Sequence, residues 1–168
     1  MALQIARDLR VIVRAPYGIP QEMIDRFVAD HRQWISVHLT QLQQQNQSMP
    51  ERFSSEQLQA LGNQALTDLP MRVQKYAPLV GVSYGRITIR NQKTRWGSCS
   101  GQGNLNFNCL LMLCPEEVRD YVVVHELCHR KEMNHFPAFW SLVEKVLPDY
   151  KVQRTWLKEH GAKLIGRL

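Results

Sequence analysis

The chain has 168 residues, with 21 Lys and Arg against 15 Asp and Glu and a net charge of +6. That length is enough for one domain with its own core. The four cysteines (Cys99, Cys109, Cys114, Cys128) form no CxxC pair, which argues against a disulfide scaffold and for a reducing, cytoplasmic setting. No apolar run approaches the ~20 residues of a membrane helix, and MALQIARDLRVIV offers no signal-peptide core, so a soluble protein is expected.

In chain order, LQIA, Arg7-Asp8 and LRVIVRAP predict a β-hairpin, with Pro16 stopping the ladder. Pro20, at a helix N1 position, opens a helix whose stripe runs Ile24, Phe27, Val28, His31, Trp34, Ile35, His38 and Leu42. His31 and His38 lie near that stripe without a Cys or Glu partner and read as packing or surface residues. The polar run QLQQQNQSMPERF, residues 41–53, reads as a linker. Ser54 and Gln57 form a capping box for a helix through Leu58, Leu61, Ala65, Leu69, Val73 and Tyr76, which Pro70 should kink or divide. YGRITIR reads as a strand. The glycines at 97, 101 and 103 mark a turn, and LNFNCLLML reads as a second strand in a hairpin with the first. From Pro115, at N1, a helix begins with Glu116 and Glu117 in its first turn, where the macrodipole favours acids. Two short helices follow, around 138–146 and 149–160. The expected organisation is one α+β domain over 1–168, divisible into a hairpin and helix (1–40), the linker (41–53) and a core (54–168).

Between Asp68 and Glu116 there is no acid, while Arg72, Lys75, Arg86, Arg90, Lys93 and Arg95 fall in the gap. Their dispersion reads first as a solvated basic face, and second as a surface for an anionic substrate or nucleic acid.

The stretch HELCHRKEMNH concentrates the chemistry. On a helix, His125 and His129 stand one above the other and can present two ring nitrogens to one ion. Glu126 then projects beside that ion, placed to deprotonate a metal-bound water as general base. Two histidines bind zinc weakly, and catalytic sites use three protein ligands and an open position. His135 is the third, six residues after His129, the offset of the HExxHxxGxxH pattern. The reversal needs a residue tolerant of a left-handed conformation or a tight turn; the glycine of that pattern is Glu132 here and the nearest tolerant residue is Asn134, so the turn is expected to differ in detail. An HExxH triplet arises by chance in under about one per cent of chains this long, which favours a metal site over a histidine-rich helix. Zinc suits imidazole ligands with an open position, and other divalent metals also bind such sites. Cys128 lies on another face and reads as packing, and Cys99 as structural.

HELCH, with KTRWGSCS at 93–100, LNFN at 105–108, Phe139-Trp140 and PDYK at 148–151, resembles the YgjP-like family of predicted zinc metallopeptidases. This is a zincin-type branch related to SprT-like and WLM-type proteases. The resemblance implies an N-terminal β-hairpin and helices, then a small zincin core with a short antiparallel sheet packed on the HExxH helix. It also implies one zinc on His125, His129 and His135, with Glu126 as base. Zincins commonly receive an extended substrate on an edge strand, and LNFN (Leu105, Asn106, Phe107, Asn108) is the segment assigned to that task.

The expected function is a zinc-dependent hydrolase, foremost a metallopeptidase acting on peptide or protein, with Tyr150, Arg154 or His160 as weak candidates for stabilising the oxyanion. One alternative is metal-dependent nucleotide pyrophosphohydrolysis, with Lys93 and Arg95 steering phosphate. Another is a zinc-stabilised module that binds nucleic acid or protein, and DNA-associated proteolysis follows only by analogy.

Overall fold

The computed structural model describes residues 1–6, 8–48 and 51–168, with the side chains of 45–48 left aside. Two compact units result, Met1–Pro50 and Glu51–Leu168.

In the first unit, β1 (Ala2–Ile5) and β2 (Val11–Arg14) pair antiparallel with Leu3 opposite Val13. Leu9 takes a left-handed φ of 69° in the connection, and of the expected Arg7-Asp8 turn Arg7 lies outside the described residues. The expected single helix is two: α1 (Gln21–Asp30), for which Pro20 is the N-cap instead of N1, and α2 (Arg32–Ser48). They part at His31, whose ψ of 11° interrupts the apolar stripe. The presumed linker is helical as far as Ser48. Glutamine is a good helix former and no Gly or Pro interrupts the run before Pro50, so polarity alone did not mark a break there. The rings of His31 and His38 engage the Phe27 and Trp34 carbonyls four residues back in their own helices.

The second unit opens with α3 (Ser55–Val80), capped by the reciprocal Ser54–Gln57 bonds. Pro70 and Pro78 both lie inside α3, and it stays one helix. Its buried stripe, Leu61, Ala65, Leu69, Val73, Tyr76 and Val80, is continuous across Pro70, so packing along that face offsets the lost backbone bond. Gly81 ends the helix in the left-handed conformation at φ 75°.

Three strands follow: β3 (Ile87–Arg90), β4 (Gly97–Cys99) and β5 (Leu105–Asn108). Their order is β3-β5-β4. β5 pairs parallel with β3 and antiparallel with β4, so the sheet is mixed and the expected β3–β5 hairpin is not formed. The glycine-rich segment, read as a turn, supplies β4 itself, and the hairpin is β4–β5, closed over Ser100–Asn104 with Gly103 at φ 85°. LNFNCLLML is a strand only through Asn108, whose side chain accepts from the Leu110 amide and starts a 3₁₀ turn over Cys109–Leu113.

α4 (Glu116–Cys128) then runs through the core with Pro115 as N-cap instead of N1, followed by α5 (Pro137–Val146) and α6 (Tyr150–Ile165). Leu105, Phe107, Val123, Val124, Leu127, Phe139 and Val143 are fully buried. Each such side chain contributes roughly 1.5–3 kcal/mol. Arg72 clamps α3 to α4, binding Asp68 at 2.6 Å and Asp120 at 2.6 Å. All four cysteines are free. Among the described residues no helix is long and apolar enough to cross a membrane.

Candidate metal centre

His125 stands in the last turn of α4, and His129 caps that helix with right-handed dihedrals (φ −62°, ψ −15°), so the i, i+4 alignment is kept. The chain reverses over 130–134 and brings His135 back to both rings. The Nε2 of His135 lies 3.0 Å from that of His125 and 3.1 Å from that of His129. The reversal contains no left-handed residue at all, Leu9 being the only non-glycine with positive φ among the described residues. The turn thus differs from the glycine pattern, as expected, and does so without a left-handed Asn134. Consecutive amide bonds from Arg130 to Leu127 O and from Lys131 and Glu132 to Cys128 O turn the chain instead.

The donor set fits a metal ion. The His129 Nδ1 contacts the Glu132 carbonyl at 3.0 Å, an oxygen that can only accept, so the proton sits on Nδ1 and the Nε2 lone pair faces the cluster. Three imidazole nitrogens crowded together cannot satisfy one another, since each neutral ring offers one proton. A tetrahedral ion holds its nitrogens at ~2.0–2.1 Å, hence about 3.3 Å apart, close to the separations here. The three ligand atoms all fall within 4.8 Å of one another.

Aromatic rings brace the cluster. Phe139, fully buried, stacks on His129 at 4.6 Å and meets His125 edge-on at 4.8 Å. Trp140 stacks on His135 and donates its indole N–H to the His135 carbonyl at 3.2 Å. Behind Trp140 lie Tyr150, stacked at 5.4 Å, and then Tyr121, whose hydroxyl stands 3.5 Å from His125 Nδ1. The Arg154 guanidinium covers the Trp140 ring at 4.3 Å. Burial, together with the charges of His129, His135 and Arg154, brings the His125 pKa down to about 3. His135 is lowered in the same direction, first by burial. Both shifts favour the neutral ring, the form that offers a lone pair to a metal.

Glu126 is buried at 6 % exposure beside β4. Burial pushes its carboxyl up to about 8 against the pull of Arg95. Gly97 makes the approach possible, because a Cβ there would sit 2.8 Å from Glu126 Oε1. Gly97, Trp140 and Phe139 are site residues for which sequence reasoning found no part in the site. A glycine inside a strand was the available signal for the first, since it marks close approach of another group.

The remaining sequence-derived positions divide. Arg95 lies in the cleft wall with His125 and Glu126, whereas Lys93 is exposed and outside that wall. LNFN is not an edge strand: β5 is paired on both sides, and Leu105 and Phe107 have no exposure, so neither can touch a substrate. Asn106 bridges its neighbours, bonding Ser98 at 3.3 Å and Arg90 at 3.2 Å. Asn108 is fully buried and donates to the Gln92 and Arg95 carbonyls, fixing the loop that carries Arg95. The strand beside the histidines is β4, and among the described residues no strand pairs with its outer side. Tyr150 is buried in the aromatic stack, and His160 engages the Trp156 carbonyl within α6.

A family model described as the YgjP-like metallopeptidase domain matches residues 1–66 and 56–160. No curated protein matches the chain. Two solved structures are similar. One is the metallopeptidase zymogen abylysin of Pyrococcus abyssi, at 22 % identity and TM-score 0.49, covering 54 % of this chain and 93 % of that one. The other is the metallopeptidase zymogen jannalysin of Methanocaldococcus jannaschii, at 20 % identity and TM-score 0.45, covering 54 % and 96 %.

Proposed function

The chain belongs to the YgjP-like metallopeptidase family, and from that premise we propose that it is a zinc-dependent peptidase with His125, His129 and His135 as ligands and Glu126 as catalytic base. The observation that carries this reading is the convergence of three imidazole Nε2 atoms next to one buried carboxyl group. When bound there, zinc supplies Lewis acidity toward a carbonyl oxygen and acidifies water. Glu126 would take a proton from the attacking water and pass it to the leaving amine nitrogen. A carboxyl group whose proton affinity is raised by burial is suited to both halves of that transfer. The outer edge of β4, Gly97 to Cys99, receives the substrate backbone as an added strand, which carries the peptide past Glu126. His129 keeps its tautomer through the Glu132 carbonyl, and Trp140 holds the His135 backbone.

The test is hydrolysis of unstructured peptides by the zinc-loaded protein. Cleavage that a chelator stops, zinc restores and Glu126→Gln abolishes supports the reading. Pyrophosphate release from nucleoside triphosphates that Glu126→Gln abolishes, with no peptide cut, overturns it.

A further inference from the structure

The cleft at Glu126 has two chambers that share Arg95, Gly97, His125 and Glu126 in their walls. One, of about 270 Å³, is completed by Ser98, Cys99, His129, Met133 and His135. The other, also about 270 Å³, is completed by Thr94, Trp96, Tyr121, Val122 and Leu157. Each is just under the ~300–1,000 Å³ of pockets for whole small ligands, so each has room for about one residue.

Away from the shared wall and Thr94, the second chamber is lined by Trp96, Tyr121, Val122 and Leu157, apolar and aromatic side chains drawn from three elements: the approach to β4, α4 and α6. Its wall is firmly built. Trp96 packs so closely on α6 that a Cβ at Gly161 would meet the indole at 3.0 Å. At the junction of the chambers stands Arg95. Its backbone carbonyl is fixed by the buried Asn108 at 3.0 Å, and among the described residues no carboxylate lies within ion-pair distance of its guanidinium. A planar cation, anchored at its base and making no ion pair at the mouth of a largely apolar chamber, matches a ligand with an apolar body and a carboxylate head.

We propose that this chamber receives the side chain of the residue that follows the scissile bond, and that Arg95 pairs with that residue's free α-carboxylate. The preferred substrates are then peptides with a bulky apolar C-terminal residue. The assignment rests on the peptidase reading above. In that reaction one water is consumed, its hydroxyl bonds to the acyl carbon, the C–N bond breaks, and Glu126 delivers the proton to the departing amine. The departing amine belongs to the residue after the bond. Glu126 and His125 face both chambers, whereas His129 and His135 line only the first, so the leaving residue lies in the second.

The experiment compares matched peptides ending in Phe as free acid, in Phe as amide and in Gly as free acid, using the zinc-loaded full chain. Cleavage of the last bond of the Phe acid is expected to exceed that of the amide by about tenfold in kcat/KM, the size of one charge-assisted contact. Arg95→Gln should bring the two within about twofold, and Arg95→Lys should recover part of the difference. Leu157→Phe, which fills the chamber, should move the preference from Phe to Ala at the terminal position. Peptide binding followed by tryptophan fluorescence should show the same order of acid over amide. Cleavage at interior bonds, equal for acid and amide, overturns this assignment and leaves the peptidase reading intact. If no peptide is either bound or cut, both fall.

Discussion

Gly97 and Glu126 meet at a distance that only glycine allows: a Cβ at position 97 would stand 2.8 Å from both Cγ and Oε1 of the glutamate. The backbone of β4 is therefore the wall against which the proposed base is held. Gly97→Ala should fold, because the displaced group is the end of a side chain, but Glu126 must move by several tenths of an ångström. Misplacement on that scale costs catalysis more than stability, on the order of 10²-fold in kcat/KM with a small change in melting temperature. Steady-state kinetics beside a thermal melt of the same preparation measure both. Unchanged turnover would show that the contact does not position the base.

The raised Glu126 pKa has a consequence for stability that metal removal exposes. In protein held under chelator, the folded carboxyl titrates near 8, well above its ordinary value of 4.5. The folded state thus binds the proton more tightly than the unfolded one. The contribution to stability is complete below about 4.5 and is lost as pH rises through 8. Chelated Glu126→Gln lacks that loss. Its melting temperature should match the wild type at pH 5 and exceed it by about 5 °C at pH 8. The depressed His125 pKa acts in the opposite sense, stabilising above its ordinary 6.5 and withdrawing as pH falls toward 3, but it is common to both proteins and cancels in the difference. A gap that stays flat with pH would sink the assignment.

Asn108 joins the core to the cleft. Its amide donates to Gln92 O at 2.7 Å and Arg95 O at 3.0 Å, and its oxygen accepts from Leu110 N at 3.1 Å, all without solvent. Asn108→Ala leaves buried backbone groups unpaired and should destabilise by about 3 kcal/mol in urea unfolding. Asn108→Asp keeps the acceptor and loses both donors, so it should loosen the Arg95 loop specifically. Its KM should rise more than its kcat falls, while the reverse split would place Asn108 in the fold alone.

What the sequence made legible follows from how far apart the cooperating residues are. The cluster of His125, His129 and His135 was readable because a helical turn and a six-residue return are local. The capping box at Ser54 was readable for the same reason. The sheet was not: a parallel β3–β5 pairing is set by contacts eighteen residues apart in sequence, such as Ile87 with Leu105, and nothing local distinguishes it from a hairpin. That one topological fact moved LNFN from the edge to the middle and gave the edge to Gly97–Cys99, which reads locally as a turn. The segment 41–53 differs in another way: it is helical as far as Ser48, because polarity is a poor guide to loops where helix propensity is high, while the division between the two units falls within it at Pro50.

Trp140 offers the sharpest probe of how the third histidine is held. His135 is exposed and lies on an irregular segment, so its ring direction depends on the indole that stacks on it and on the 3.2 Å bond from the indole N–H to its carbonyl. Trp140→Phe keeps an aromatic face against Tyr150 but removes the donor. Groups that orient a ligand from behind it typically account for 10–100-fold in metal affinity, so a fall of about tenfold in zinc affinity is expected, with circular dichroism unchanged. Trp140→Ala also removes the platform and the surface under Arg154, and its loss should be larger. Competition with a chromophoric chelator measures both variants. Equal zinc affinity in wild type and Trp140→Ala would mean that His135 is placed by the 130–134 turn alone and that the aromatic stack serves only packing.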